Sequence, residues 1–301
     1  MSNIRFLDNA VNGKNNWFSY LLTIGITVIG GILASIALIV LFMLVYFLSM
    51  KTTPVNILFN ILNNAMIILI LVGISYGIIT LLFYLCIKFI HKKQFISLIN
   101  IGKNINMNRI FKGAGLWAGI MTLFTLVSII YSKGSLSFHF DPVLFLYLLI
   151  ISLLVFPLQA SFEEIFFRGY LMQAFGLLSK KPVVPLIITT LIFGLIHFYN
   201  GTNLEMSITI VLSALILGLM LGIIVLGENG LETAMGAHIA NNMFVALFLN
   251  SSDSGLGNLP SLITSSSYNP YSEILLLMGM AVFMITILFW NKKENLYRIF
   301  Q

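Results

Sequence analysis

The chain has 301 residues, 59% hydrophobic and 9% charged, with a mean hydropathy of +1.00. Soluble domains carry about 25% charged residues, so this composition excludes a soluble globular protein. A net charge of +6 would suggest nucleic acid in a soluble chain, but here the basic residues sit in short loops and report membrane topology instead.

The first sixteen residues are mostly polar, and the apolar run after them is far too long for the core of a cleavable signal peptide. A bilayer crossing needs about 20 apolar residues. Eight segments qualify, at roughly 17–49, 56–88, 110–132, 143–165, 183–200, 206–226, 231–250 and 273–290. The first two exceed one bilayer thickness and are expected to tilt, kink or run on into the interface, with Gly30-Gly31 and Pro54 as break points. Small-residue pairs at Gly73/Gly77, Gly115/Gly119 and Gly218/Gly222 permit close helix contact. The single cysteine, Cys86, lies in an apolar run and excludes an intrachain disulfide. The expected fold is all-α, a polytopic membrane helix bundle of about eight transmembrane helices forming one domain over 1–301.

Thirteen basic residues fall on one side of this arrangement: Arg5, Lys14, Lys88, Lys92, Lys93, Lys103, Arg109, Lys112, Lys180, Lys181, Lys292, Lys293 and Arg298. The opposite loops hold Lys51 and Lys133. This bias predicts that both termini are cytoplasmic. The Lys92–Lys112 segment, with apolar residues between its charges, is expected to lie along the cytoplasmic face. The stretch 251–272 is rich in Ser, Gly, Asn and Pro and has no Lys or Arg, as an outside loop would.

Charge inside the apolar segments is the exception. Glu163, Glu164 and Arg168 occur within six residues, where insertion costs about 2.5–3.5 kcal/mol per ionised side chain at mid-membrane. Glu164 and Arg168 are four apart and share a helix face, so an ion pair offsets much of that cost. Glu163 points elsewhere. Left without an obvious local partner, it is the expected general base acting on water. The alternative for all three is a packing network or a polar cavity lining.

His197 closes Phe193-Gly194-Leu195-Ile196-His197, with Phe193 one turn away. His238 and Asn242 are four apart on one face of the seventh segment and are suited to hydrogen-bond a developing oxyanion. Interhelical polar contact is the alternative for that pair. Asn241 lies on a different bearing and reads as a bystander.

Glu-Glu-x-x-x-Arg, Phe-x-x-x-His and His-x-x-x-Asn, in that order on three apolar segments, resemble the CPBP intramembrane protease family. That family includes the type II CAAX prenyl endopeptidases and bacterial immunity and lysostaphin-resistance-like proteins. The resemblance covers about residues 143–250, and Arg-Gly-Tyr-Leu at 168–171 extends it. Residues 1–142 add N-terminal helices without motifs.

The resemblance implies an intramembrane endopeptidase acting on a membrane-anchored peptide or protein, in peptide maturation or bacteriocin immunity. Glu163 would activate water with help from His197, while His238 and Asn242 would stabilise the oxyanion. Glu164, Arg168 and Phe193 would support the site. The family is often labelled a metalloprotease, and zinc wants three protein ligands plus water. Glu163, His197 and His238 are the set available for it. No His-Glu-x-x-His segment is present and Asn is a poor zinc ligand, so the expectation is no metal and no cofactor.

The other function classes are a non-proteolytic scaffold or regulator with the same fold, and a transporter or proton relay. A scaffold has no need to bury all four of Glu163, His197, His238 and Asn242. In a transporter buried Glu and His are also typical, but paired Gly/Pro breaks in repeated helices would be expected, and none pair up in the sequence. The partners expected are substrate and lipid, with no nucleic acid, in a microbial cell membrane. The shared cavity is expected to open to the cytoplasmic side or laterally. One geometric conflict stands. His197 lies about 21 Å along a helix beginning at Val183, too deep to meet Glu163 if that helix ends at 165. Either the Glu163 helix runs on toward Leu178, bent at Pro157, or the His197 helix begins deeper.

Overall fold

The computed structural model describes residues 4–50, 60–61, 63–131, 136–179, 181–251, 258–265 and 270–301. Eight long helices run alternately up and down: α1 (Trp17–Met50), α2 (Ala65–Phe89), α3 (Met107–Tyr131), α4 (Pro142–Glu164), α5 (Val183–Ile196), α6 (Leu204–Glu228), α7 (Glu232–Phe248) and α8 (Pro270–Phe289). A short amphipathic helix, α9 (Lys293–Phe300), follows α8 at a bend of 116°. Each of the eight expected segments holds a helix, although the seventh gives way to strand at Leu249, and the protein is an all-α polytopic membrane bundle.

Six of the helices are long and apolar enough to cross a membrane alone, and a seventh passes as the bent α8–α9 pair. The helix outside that count is α7, with only 17 residues. It starts inside the bundle, where the Leu231 amide donates to Ile99 O at 2.8 Å. Its face is set by protein contacts more than by lipid.

Two boundaries differ from expectation. α1 passes unbroken through Gly30-Gly31, which lie against Leu82 and Ile79 of α2. α2 begins at Ala65, where the Asn64 side chain accepts from the amides of Met66 and Ile67 and caps the helix. Pro54, Lys51, Lys133 and Lys180 lie outside the described residues.

α4 resolves the depth conflict. It does not end near 165 but continues through a π-helical stretch, Ile165–Leu171, and Met172–Gly176, so that Pro142–Gly176 is one 35-residue run with Pro157 inside it. Glu163 is therefore interior, about 20 Å from the Gly176 end at 1.5 Å per residue. His197 is at a matching depth along α5. π-helical turns are rare and concentrate at functional sites.

Both termini lie at one end of the bundle. The Phe6 amide donates to Asn229 Oδ1 at 3.1 Å just past α6, and Phe289 at the end of α8 meets Gly227. The described Lys and Arg residues of loops and tail cluster at this basic end. The α2–α3 connection does not lie flat on its surface. Leu98 and Ile99 are buried, Gln173 Nε2 donates to Ser97 O at 2.9 Å, and Leu98 O rests on Gly169. The connection is a plug in the bundle end, because its alternating apolar residues find a protein cleft rather than lipid.

The far end carries a three-stranded sheet of β1 (Leu136–Phe138), β2 (Leu249–Ser251) and β3 (Ile263–Ser265), ordered β1-β3-β2. β3 is antiparallel to β1 and parallel to β2. Glycines set the tightest helix crossing, and they are not the flagged Gly115/Gly119 pair, which faces open space. At α3–α7, a Cβ on Gly113 would strike Thr233 O, and one on Gly236 would strike Ile110 O. This contact fixes the height of α7 and hence of His238 and Asn242.

Candidate active site

Glu164 and Arg168, expected to pair, do so. Arg168 Nη1 donates to Glu164 Oε1 at 2.7 Å, with both side chains fully buried. Arg168 Nη2 also donates to Gly218 O at 3.2 Å. Its Cζ lies 4.2 Å from the centroid of the Phe193 ring, a cation–π contact. Gly218 is needed here, since a Cβ would come 3.1 Å from both Arg168 Nη2 and the Phe193 ring.

The same Glu164 Oε1 accepts from His238 Nδ1 at 2.8 Å. An ionised carboxylate only accepts, so Nδ1 carries a proton and Nε2 is the ring's working nitrogen. Nε2 stands 3.7 Å from Glu163 Oε2, too long for a direct hydrogen bond. His238 is 2% exposed and Glu163 4%, so this gap is buried within protein.

Glu163 is not without partners. Tyr76 OH, from α2, donates to its Oε1 at 2.6 Å, and Gln159 Nε2, one turn earlier in α4, donates to the same oxygen at 3.2 Å. Oε1 is thus doubly engaged, while Oε2 is turned toward His238. The Gln159 contact was legible as an i, i+4 pair. Tyr76 sits in a motif-free segment, and nothing in the sequence links it to Glu163 across 87 positions.

His197 caps the C-terminal end of α5. Its Nδ1 donates to Phe193 O at 2.6 Å, again leaving Nε2 outward. The Phe193 ring lies 4.7 Å from that of His197 and 5.9 Å from that of His238, centroid to centroid. His197 thus joins Glu163 through the Phe193 and His238 rings, with no hydrogen bond between Glu163 and His197 among the described residues. Asn242 is half-buried, and its Oδ1 accepts from Asn241 Nδ2 at 3.2 Å. Asn241 in turn accepts from Trp117 Nε1 at 3.2 Å, tying α7 to α3. The residue read as a bystander orients its neighbour.

No three His, Cys, Asp or Glu side chains gather closely enough to hold a metal ion among the described residues. Glu163, His197 and His238 therefore do not fit a zinc centre as arranged.

Fold and site together define a polytopic membrane protein with a Glu/His/Asn centre on α4, α5 and α7, its Glu163, Glu164 and His238 buried. Residues 142–244, which contain every motif residue, match the family model of the type II CAAX prenyl endopeptidase, Rce1-like. At the level of that family the match is to CAAX-type intramembrane proteases. Across 294 residues the chain is 29% identical to the uncharacterized protein YyaK of Bacillus subtilis (strain 168), covering 95% of each. No solved structure matches the chain.

Proposed function

We propose that the chain is an intramembrane endopeptidase that hydrolyses a peptide bond in a membrane-anchored peptide or protein, using a water activated by Glu163. The carrying observation is the 3.7 Å gap between Glu163 Oε2 and His238 Nε2, walled by groups whose other hydrogen bonds are already made. A buried carboxylate with one oxygen engaged and the other directed at an imidazole has the geometry of a general base.

In this reading Tyr76 and Gln159 hold Glu163 Oε1, and Oε2 takes the proton as the water oxygen attacks the substrate carbonyl carbon. The oxyanion accepts from Asn242 Nδ2, whose amide is turned by Asn241, and from His238 in its protonated form. Glu164 stabilises that imidazolium, with Arg168 balancing the charge. The proton held by Glu163 then passes to the departing amine as the C–N bond breaks, yielding a carboxylic acid and an amine, and the acid's proton then moves to the amine to leave a carboxylate and an ammonium. His197, with Nε2 free, supports Glu163 through the same water. The Lys/Arg bias assigns the basic end to the cytoplasm, and the setting is a microbial cell membrane, where peptide maturation or bacteriocin immunity is the corresponding role.

The test is an inventory by mass spectrometry of membrane peptides in cells lacking the protein, complemented with wild type or Glu163→Gln. A precursor that accumulates in the deletion and in the Glu163→Gln strain, and is trimmed by wild type, supports proteolysis. Identical peptide inventories for both complements would overturn it.

A further inference from the structure

The same arrangement says from which side the site is reached. α4 runs toward the basic end, so Gln159 and Glu163 come before Glu164 and Arg168 on the way in. α5 and α7 run away from that end, so His197 lies beyond Phe193 and Asn242 beyond His238. Burial follows this axis. The inner members, Arg168, Glu164, Phe193 and His238, are buried, as is Glu163, while the outer members Gln159, His197 and Asn242 are each partly exposed.

Partly exposed amides and imidazoles at membrane depth do not face hydrocarbon, where each unmet hydrogen bond costs several kcal/mol, so they face water. On the inner side, the Leu98–Ile99 plug sits on Gly169 and Leu231 and closes the basic end. On the outer side, α5 stops at His197, and Tyr199 just beyond it is 91% exposed.

We propose that the site opens only toward the end carrying the β-sheet, opposite the basic loops. Its occupant is an extended, membrane-anchored peptide presented from that face. With the basic end cytoplasmic, the substrate class is an exported or outer-leaflet peptide rather than a cytoplasmic tail. The nature of the occupant rests on the proteolytic reading, and the direction of access does not.

The experiment reads access without turnover. In a Cys86→Ala background, single cysteines are placed at Asn242, at Ser137 on the sheet end and at Lys103 on the basic end. Each full-length protein is treated with a membrane-impermeant sulfonated maleimide in right-side-out and in inverted vesicles. The proposal expects Asn242→Cys to react in the preparation that labels Ser137→Cys and to lose labelling in the one that labels Lys103→Cys. Labelling of Asn242→Cys from the Lys103 side, from both sides, or from neither until detergent is added would overturn it. If Asn242→Cys does not elute as folded protein, Gln159→Cys is read by the same criteria. A correct sidedness together with no peptidase activity of the wild-type protein would overturn the proteolytic reading alone.

Discussion

Replacing Glu164 by Gln separates the charge of this residue from its shape. Glu164 Oε1 receives two hydrogen bonds, from Arg168 at 2.7 Å and His238 at 2.8 Å. A Gln oxygen in the same place still accepts both, as a neutral partner. A hydrogen bond to a charged group contributes about 1.5–3 kcal/mol and a neutral one about 0.5–1.5, so the pair of bonds weakens by roughly 2–3 kcal/mol. Arg168, fully buried, then keeps the Gln oxygen, Gly218 O and the Phe193 ring but loses the carboxylate that neutralised it. Leaving a buried charge unpaired brings the loss to about 3–5 kcal/mol, a large share of the 5–15 kcal/mol that typically holds a protein folded. Glu163→Gln should behave differently: the amide oxygen still accepts from Tyr76 and Gln159, the weaker bonds are offset by no longer burying a carboxylate, and Arg168 keeps its partner Glu164. Thermal unfolding of both variants in detergent, with size-exclusion as a check, reads the contrast. Glu164→Gln is expected to unfold well below wild type and Glu163→Gln close to it. Glu164→Leu with Arg168→Met, which removes both charges, should regain much of the stability but not activity, since His238 loses its anchor. Equal stability of Glu163→Gln and Glu164→Gln would refute this division of roles.

Other outcomes follow from single contacts. Tyr76→Phe removes one donor from Glu163 Oε1 and should lower kcat about tenfold, for a lost bond near 1.5 kcal/mol, with KM little changed; an unaltered kcat would remove Tyr76 from the site. Purified protein treated with chelator should keep its activity and hold no stoichiometric zinc by elemental analysis; loss restored by one equivalent of Zn²⁺ would reverse the metal-free reading. Burial pulls the Lys93 ammonium down to about 8 from 10.5, although Gln173 Oε1 accepts from it at 2.8 Å. Between those values the unfolded chain binds more protons than the folded one, so stability should rise as pH increases from about 8 to 10.5. Lys93→Met should flatten that rise in melting temperature, and an unchanged pH dependence would contradict the assignment.

Much of this was legible in the sequence because membrane burial makes charge expensive. Glu163, Glu164 and Arg168 stood out against an apolar background, and the i, i+4 rule paired Glu164 with Arg168 as observed. Hydropathy located the helices but not their ends. It stopped the fourth segment at 165, because Arg168 and the polar residues after Gly176 look like a boundary. The helix runs on because Arg168 is neutralised by Glu164, Gly218 and Phe193. What stayed hidden was tertiary. Tyr76 reaches Glu163 across 87 positions. Asn241, assigned no role by its helical bearing, is turned toward Trp117 on another helix. The plug at 95–100 looked like a surface segment because its apolar spacing suits a lipid interface as well as a cleft.

The central claim is that Glu163 is the base of a peptidase, and one comparison tests it most directly. Wild type and Glu163→Gln, both eluting as folded protein, are assayed on the membrane peptide that accumulates when the protein is absent. Wild type should give defined cleavage, and Glu163→Gln a rate lower by about 10²–10⁴, the usual range for a lost general base. Cleavage by Glu163→Gln at a near-normal rate would contradict the claim.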